Sequence, residues 1–475
     1  MKATVFIRRF CWVVVILLLA GFATMRWLAR GRSAIGGERK ATVGPIIVAK
    51  NAALERDFYL QHWGWCQRAW RDPALIRCTG KSWETMAAEF IKTASAQWSG
   101  VTNLDNTVEL LNCGKQLVDQ GCRDPLVLYL VAHLNRSVAN YTAAMHAVEE
   151  NPKVSRSLAW FVATDFAESQ GRTAAEVAEL DQKAIQWLKS SLTDGSYEKG
   201  DDIFFVRHQV WREKFHKRQC RTLATLYAEA PLPEWARHTL VGMAEIDLAW
   251  AARGGDWADK VTEEGWKGFE EHLQKAHEEL GKGWQLRQDR PEAAAAMINV
   301  IGGGHRVKGE TIRLWFDRAI AAQFDYMPAY NFVLWFYRPR WGGSHQLMFD
   351  FGKACLNTKR FDTDVPLKFY TACNSIGEEM GDTRIFRGQP EVRKLWIELD
   401  QALVNEPTRK HQKQWRLSYL AVDAWMAGDY ALAAQTLAAI GPKLEKGAVE
   451  ELRKFGIDES QFRRLVASVS GSGRK

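Results

Sequence analysis

The 475-residue chain lacks the patterns that usually announce chemistry. It has no CxxC pair and no Cys/His spacing suited to zinc, so composition names no metal and no cofactor. It has no run of alternating β-branched residues bounded by hairpin turns, so strands should be rare. It also lacks a positive surplus where a nucleic acid would need one. The net charge of +8 sits entirely in residues 1–50, where nine basic residues face one acidic residue, Glu38. The other 425 residues carry 55 basic and 55 acidic side chains. A phosphate track needs a surplus that releases counterions, so nucleic acid is excluded as the expected partner. Two carboxylates facing each other across a cleft, as glycoside cleavage requires, cannot be picked out either.

One residue type is abundant. The 21 tryptophans run from Trp12 to Trp425 and argue for thick helix–helix packing, because each indole buries a large area and wants a partner for its N–H. A sugar-stacking surface is the competing use.

The N-terminus has a clear composition. Residues 1–9 form a basic tail, and Phe10–Met25 is uncharged over sixteen residues between Arg9 and Arg26. As a helix this run spans about 24 Å, and snorkelling by Arg26 would extend it to residue 29. Residues 10–29 are therefore expected to be a single transmembrane or signal-anchor helix in the inner membrane, with the body on the periplasmic side. Cleavage near Ala23, with Gly21 and Ala23 as the small residues, would instead release a secreted protein. Residues 30–50, with Gly31, Gly36, Gly37, Gly44 and Pro45, read as a flexible basic linker lying along anionic headgroups.

From residue 51 onward the period is helical. Pro125, Pro152, Pro233, Pro291, Pro328, Pro366, Pro390 and Pro407 each open an apolar-periodic stretch, the position where a missing N–H costs least. Asp124 and Asn151 precede two of them as caps. In Trp415–Ile440, Leu417, Leu420, Ala421 and Ala424 make one face, Gly428-Asp429-Tyr430 turns the chain, and Ala433, Ala434 and Leu437 continue on a second helix. This GDYxxA hairpin resembles a tetratricopeptide repeat, with Ala421 and Ala433 at its small packing positions. Trp315–Tyr330 resembles a junction between two such repeats, with Ala319 small and Pro328 starting the next helix; Cys113–Val131 is a fainter copy.

The most distinctive string is Arg338-Pro339-Arg340-Trp341-Gly342-Gly343-Ser344-His345. Here the chain is similar to an uncharacterised bacterial family of tetratricopeptide-like proteins carrying a PRWGGS-type turn. The likeness covers Trp284–Pro366, echoes at Cys113–Leu130, and implies a fold without implying an activity. Arg338 and Arg340 beside exposed amides suit a carboxylate or phosphate, Gly342 and Gly343 allow positive φ, and Ser344 can cap the next helix. Arg338, Arg340, Trp341, Gly342, Gly343 and Ser344 are thus the candidate binding residues. The alternative is a tight turn with Trp341 plugging the gap between hairpins.

Weaker candidates have blander readings. Ile301–His305 lacks the lysine of a phosphate loop and follows a helix, so a helix–helix turn is expected. His272 and His277 are spaced wrongly to share a metal and read as solvated. Asp201 and Asp202 read as a cap, and Ser344 with His345 has no orienting acid. Cys113 with Cys122, and Cys355 with Cys373, stand open between disulfides and free thiols.

The reading is all-α: degenerate tetratricopeptide-like hairpins stacked as an α-solenoid, divided into 51–285 and 286–468, with residues 469–475 a disordered tail. The function expected is a non-catalytic scaffold that holds a peptide or protein segment in its concave face. An exported α/α-toroid enzyme acting on carbohydrate is the alternative.

Overall fold

The computed structural model describes residues 43–49, 52–102, 107–381, 386 and 388–472. The expected basic tail and membrane helix, residues 1–29, lie outside them, as does most of the linker. Among the described residues no helix is long and apolar enough to cross a membrane.

The fold is all-helical. Among the described residues the only β pairing is one isolated parallel bridge between Ala53 and Gln323. Among the described residues two compact units emerge, one from residues 49–329 and one from residues 330–472 together with 43–48.

The first unit contains α1 (Glu55–Cys66), which runs on through one π-helical turn, then α2 (Asp72–Cys78), α3 (Glu84–Trp98), α4 (Thr107–Asp119), α5 (Pro125–Asn135), α6 (Val138–Glu150), α7 (Arg156–Ala167) and α8 (Ala174–Ser191). It continues with α9 (Asp202–Trp211), α10 (Glu213–Glu229), α11 (Glu234–Arg253), α12 (Glu263–Leu286), α13 (Pro291–Gly302) and α14 (Ile312–Ala322). Most helices pack on their sequence neighbours, α11 and α12 most extensively. That pair comes close because its crossing is built from glycine: a Cβ at Gly242 would lie 2.5 Å from Leu280, and one at Gly283 2.7 Å from Thr239.

Four helices depart from a simple stack. Residues 125–132 of α5, 157–167 of α7, 203–209 of α9 and 291–298 of α13 are buried on every face. A helix with one solvent face needs only an apolar stripe, whereas a wrapped helix must also bury its polar side chains against partners. The tryptophans serve this core. Trp65, Trp70 and Trp160 are fully buried; the Trp65 indole donates to the Ser196 carbonyl (2.7 Å) and that of Trp70 to the Ser157 hydroxyl (2.9 Å).

The second unit contains α16 (His345–Leu356), α17 (Lys368–Glu379), α18 (Pro390–Asn405), α19 (Lys413–Met426), α20 (Tyr430–Ile440), α21 (Lys446–Arg453) and α22 (Glu459–Ser472), with the boundary falling inside α15 (Met327–Phe336). The hairpin expected at Trp415–Ile440 is α19–α20. Ala421 and Ala433 are fully buried, Gly428 takes φ +81°, and the Asp429 carboxylate accepts from the Leu432 amide at 3.0 Å.

The boundary lies after residue 329, where the sequence pointed to 285. Helix α13 is buried along its first two turns and packs on α12. The fully buried Glu292 accepts from Arg207 Nε at 2.6 Å, and Arg207 also donates to Gln323. Residues 286–329 therefore belong to the first core. Local periodicity carries no record of an ion pair closed across 85 residues.

The prolines mostly behave as expected. Pro125 opens α5 with the Asp124 carboxylate accepting from Leu126 N at 2.9 Å. Pro152 does not open a helix: Asn151 instead accepts from the Lys153 amide (3.2 Å), closing an Asx turn, and α7 starts only at Arg156. Pro366 sits in a 3-10 turn ahead of α17.

Candidate functional site

The PRWGGS turn follows directly from its residues. Helix α15 ends, Pro339–Trp341 makes one 3-10 turn, and Gly342 adopts φ +86°. The chain then folds back so that the Ser344 amide donates to the Tyr337 carbonyl at 3.0 Å. A Cβ at Gly343 would lie 2.0 Å from that same carbonyl oxygen, so only glycine closes the turn. The Ser344 hydroxyl accepts from the Leu347 amide at 3.0 Å and caps α16.

The two arginines point to the same carboxylate. Arg340 Nη2 lies 3.1 Å and Arg338 Nη1 3.6 Å from Glu379 Oε1 at the end of α17, and His345 Nε2 lies 3.4 Å from Oε2. Arg338 also donates to the Ser375 hydroxyl at 3.1 Å. Both guanidiniums sit near the half-exposed Trp335 ring, 4.8 and 5.4 Å from its centroid. Trp341 lies half-buried against Phe336 (centroids 5.6 Å apart) and near Trp335 (6.3 Å), both on the helix that leads into the turn. The turn brings all six candidate residues together and supplies an internal carboxylate to both arginines. Arg340 remains exposed, with cationic surplus beside an aromatic ring.

A second polar centre, absent from the sequence reading, lies in the core of the first unit. His62 and His208 are both fully buried, with their Nε2 atoms 2.9 Å apart. His62 Nδ1 faces the Ser99 carbonyl at 3.3 Å, so it must carry hydrogen and leave Nε2 as acceptor. His208 then donates from Nε2, and its Nδ1 accepts from the Tyr197 hydroxyl at 2.7 Å. Every proton in this relay is assigned with both rings neutral. Burial drives the His62 imidazole down to about 4 and holds that of His208 well below the ordinary imidazole range.

Next to it, the Asp165 carboxylate accepts from the Tyr129 hydroxyl at 2.8 Å and pairs with Arg212 at 2.9 Å and His133 at 3.3 Å. Burial pushes this carboxyl up, but Arg212, His133 and Tyr129 outweigh it and hold it at about 2. The arrangement ties α5 and α7 to Arg212, the residue that follows α9. In sequence, His62 and His208 are single histidines among aromatics, 146 positions apart; only the tryptophan density hinted at such a core.

The second unit holds its own buried acid. Asp400 on α18 accepts from the Tyr370 hydroxyl at 2.6 Å and faces Asp423 on α19; burial, with Asp423 adding to it, pushes the Asp400 carboxyl well up.

The remaining sequence candidates resolve locally. His272 and His277 are not solvated: their rings pair with Glu245 (2.6 Å) and Glu310 (3.0 Å). Asp201 accepts from the Glu198 amide at 3.0 Å and from Arg68, and Asp202 accepts from the Trp235 indole at 2.8 Å, so neither side chain caps α9. Ile301 and Gly302 end α13, and Gly303–His305 make the turn that follows it, as expected. All seven cysteines among the described residues are free thiols, and the neighbour of Cys122 is the Cys78 thiol, to which it hydrogen-bonds, rather than Cys113. Comparison of the chain with protein-family models, with curated proteins and with solved structures yields no match.

Proposed function

We propose that this chain is a non-catalytic interaction scaffold of tetratricopeptide-like hairpins that holds a peptide or protein segment. The observation that carries the reading is the α19–α20 hairpin, with Ala421 and Ala433 buried where its two helices cross. The PRWGGS turn adds a presented surface: Trp335 is 40% exposed and is flanked by Arg338 and Arg340, a combination suited to an acidic or aromatic group on a partner. The apolar run Phe10–Met25 between arginines supports tethering in the inner membrane with the body outside the cytoplasm.

The test is affinity capture from cross-linked native envelope using the full chain, beside an Arg338→Ala/Arg340→Ala variant. A saturable protein partner, reduced at least fivefold by the double substitution, is the expected result. A partner list identical for both chains removes the turn from the interface, and no saturable partner at all removes the scaffold. For topology, a reporter enzyme active only outside the cytoplasm, fused after Lys475, should be active.

A further inference from the structure

Cys78 closes α2 and Cys122 lies in the connection from α4 to α5, so no local window pairs them. The fold does: α2 packs on α5, and the Cys78 thiol donates a hydrogen bond to Cys122. Both thiols are wholly buried, yet each sits just beneath the surface. Thr79 and Gly80 are exposed beside the first, and Gly121 and Arg123 flank the second in the open.

The approach of the two sulfurs is fixed from both sides. Arg77 Nε donates to Asp124 Oδ2 at 2.6 Å, which clamps the chain immediately before Cys78 to the chain just after Cys122. The Cys122 amide donates to the Leu117 carbonyl at 2.9 Å, and Arg123 Nη1 donates to the Val118 and Cys122 carbonyls at 2.8 and 2.9 Å. Two thiols already in contact need close only to about 2 Å for a disulfide. The pair is also asymmetric. Cys122 accepts from the Cys78 thiol and from the Asp124 amide, which hold it below the usual thiol range although burial opposes them. Cys78, as the donor, is pushed up by that same bond and by burial.

From this geometry we infer that Cys78 and Cys122 are a disulfide-forming pair, oxidised by exchange with an external disulfide, whose cross-link staples α2 to the start of α5. Cys122, as the thiolate, attacks one sulfur of the external disulfide; that S–S bond breaks, and the leaving thiolate keeps the bonding pair and takes the Cys122 proton. Cys78 then gives up its proton and attacks Cys122 Sγ, expelling the second external thiolate, which takes that proton. The two cysteines are oxidised by two electrons and the external disulfide is reduced to two thiols. Because both sulfurs are covered in the closed fold, exchange takes place while the α4–α5 connection is open, above all as the chain folds. The staple lies within the first unit and needs no partner, so it stands apart from the scaffold reading. It restricts the unfolded chain, and its signature is a gain in stability.

The test unfolds and reduces the full chain, then refolds it in detergent with a mixture of reduced and oxidised glutathione. Free thiols are blocked with N-ethylmaleimide, and the chain is cut with trypsin without reduction. The expected product joins residues 78–81 to residues 116–123 and takes up more than half of both cysteines, in wild type and in Cys113→Ser alike. Cys113 falls on a separate fragment, residues 93–115, so mass spectrometry tells the two pairings apart. The oxidised wild type should melt about 5 °C above the reduced chain, a difference that Cys78→Ser/Cys122→Ser removes. Cys122→Ala, which keeps the site apolar, is the second unlinked variant should the double serine chain not fold. If refolding returns no helical signal, the chain purified in its native state is equilibrated in the same mixture and read the same way. Less than half of the pair linked in folded wild type, or Cys122 joined to Cys113, overturns the proposal. A linked chain that melts no higher than the reduced one overturns the staple.

Discussion

His62 Nε2 lies 2.9 Å from His208 Nε2, with neither imidazole exposed, so the core of the first unit is closed by a hydrogen bond between two buried neutral rings. A proton added to one ring would bury a charge away from water, and a proton on each would set two like charges side by side.

Acid sensitivity follows from that pair. The folded His62 titrates at about 4 against an ordinary 6.5, so between those values the unfolded chain binds more protons and stability rises with pH. Stability from His62 is complete above pH 6.5 and falls away as pH drops, a loss of about 3 kcal/mol by pH 4. Urea unfolding at pH 7.5, 5.5 and 4.5 should give a falling midpoint. His62→Leu/His208→Leu should flatten most of that slope; an unchanged slope would place the acid sensitivity elsewhere.

Breaking the ion pair that binds residues 286–329 to the first unit should be costly in one direction only. Arg207→Met leaves Glu292 buried without its cation and should destabilise the unit by about 3–5 kcal/mol, whereas Arg207→Met/Glu292→Met should recover most of that loss. A double-mutant cycle in urea measures it. Additive losses would show that the two side chains are not coupled.

At Asp400 the sign reverses. Burial raises this carboxyl well above its unfolded value of 3.8, with the Asp423 charge adding to the effect, so the folded state binds more protons and stability falls as pH climbs past 3.8. Asp400→Asn keeps the acceptor for the Tyr370 hydroxyl and should raise the melting temperature at pH 7 by several degrees while changing little at pH 3.5. A lower melting temperature at pH 7 would mean that the ionised acid is the native form.

The neighbouring glycines of the PRWGGS turn should differ in kind. Gly342→Ala strains one residue at φ +86° and should cost about 1 kcal/mol. Gly343→Ala drives a Cβ into the Tyr337 carbonyl and should cost more, about 2–3 kcal/mol, because backbone must move. Chemical denaturation of the two single variants compares them directly; equal losses would show that the turn opens easily.

The helical class, the α19–α20 hairpin with its buried alanines and the turn chemistry of Gly342 and Ser344 were legible from residues 1 to 475 alone, whereas Gly343 does not take the positive φ expected of it and is required instead by its approach to the Tyr337 carbonyl. Each depends on groups within one or two turns of one another: the 3.6-residue period, small residues at a crossing, a hydroxyl three residues before an amide. The carboxylate that meets Arg338 and Arg340 was not legible, since Glu379 arrives on α17, 39 residues beyond Arg340. Nor were the His62–His208 bond or the allegiance of residues 286–329.

Sequence by itself determined where helices start, where they turn and which face of most of them is greasy, because short-range sterics and periodicity decide those. Tertiary structure alone decided which polar groups are neutral, which charges are cancelled and where one unit ends. Those outcomes depend on burial and on partners tens to hundreds of residues away, and burial is a property of the assembled core that no local window contains.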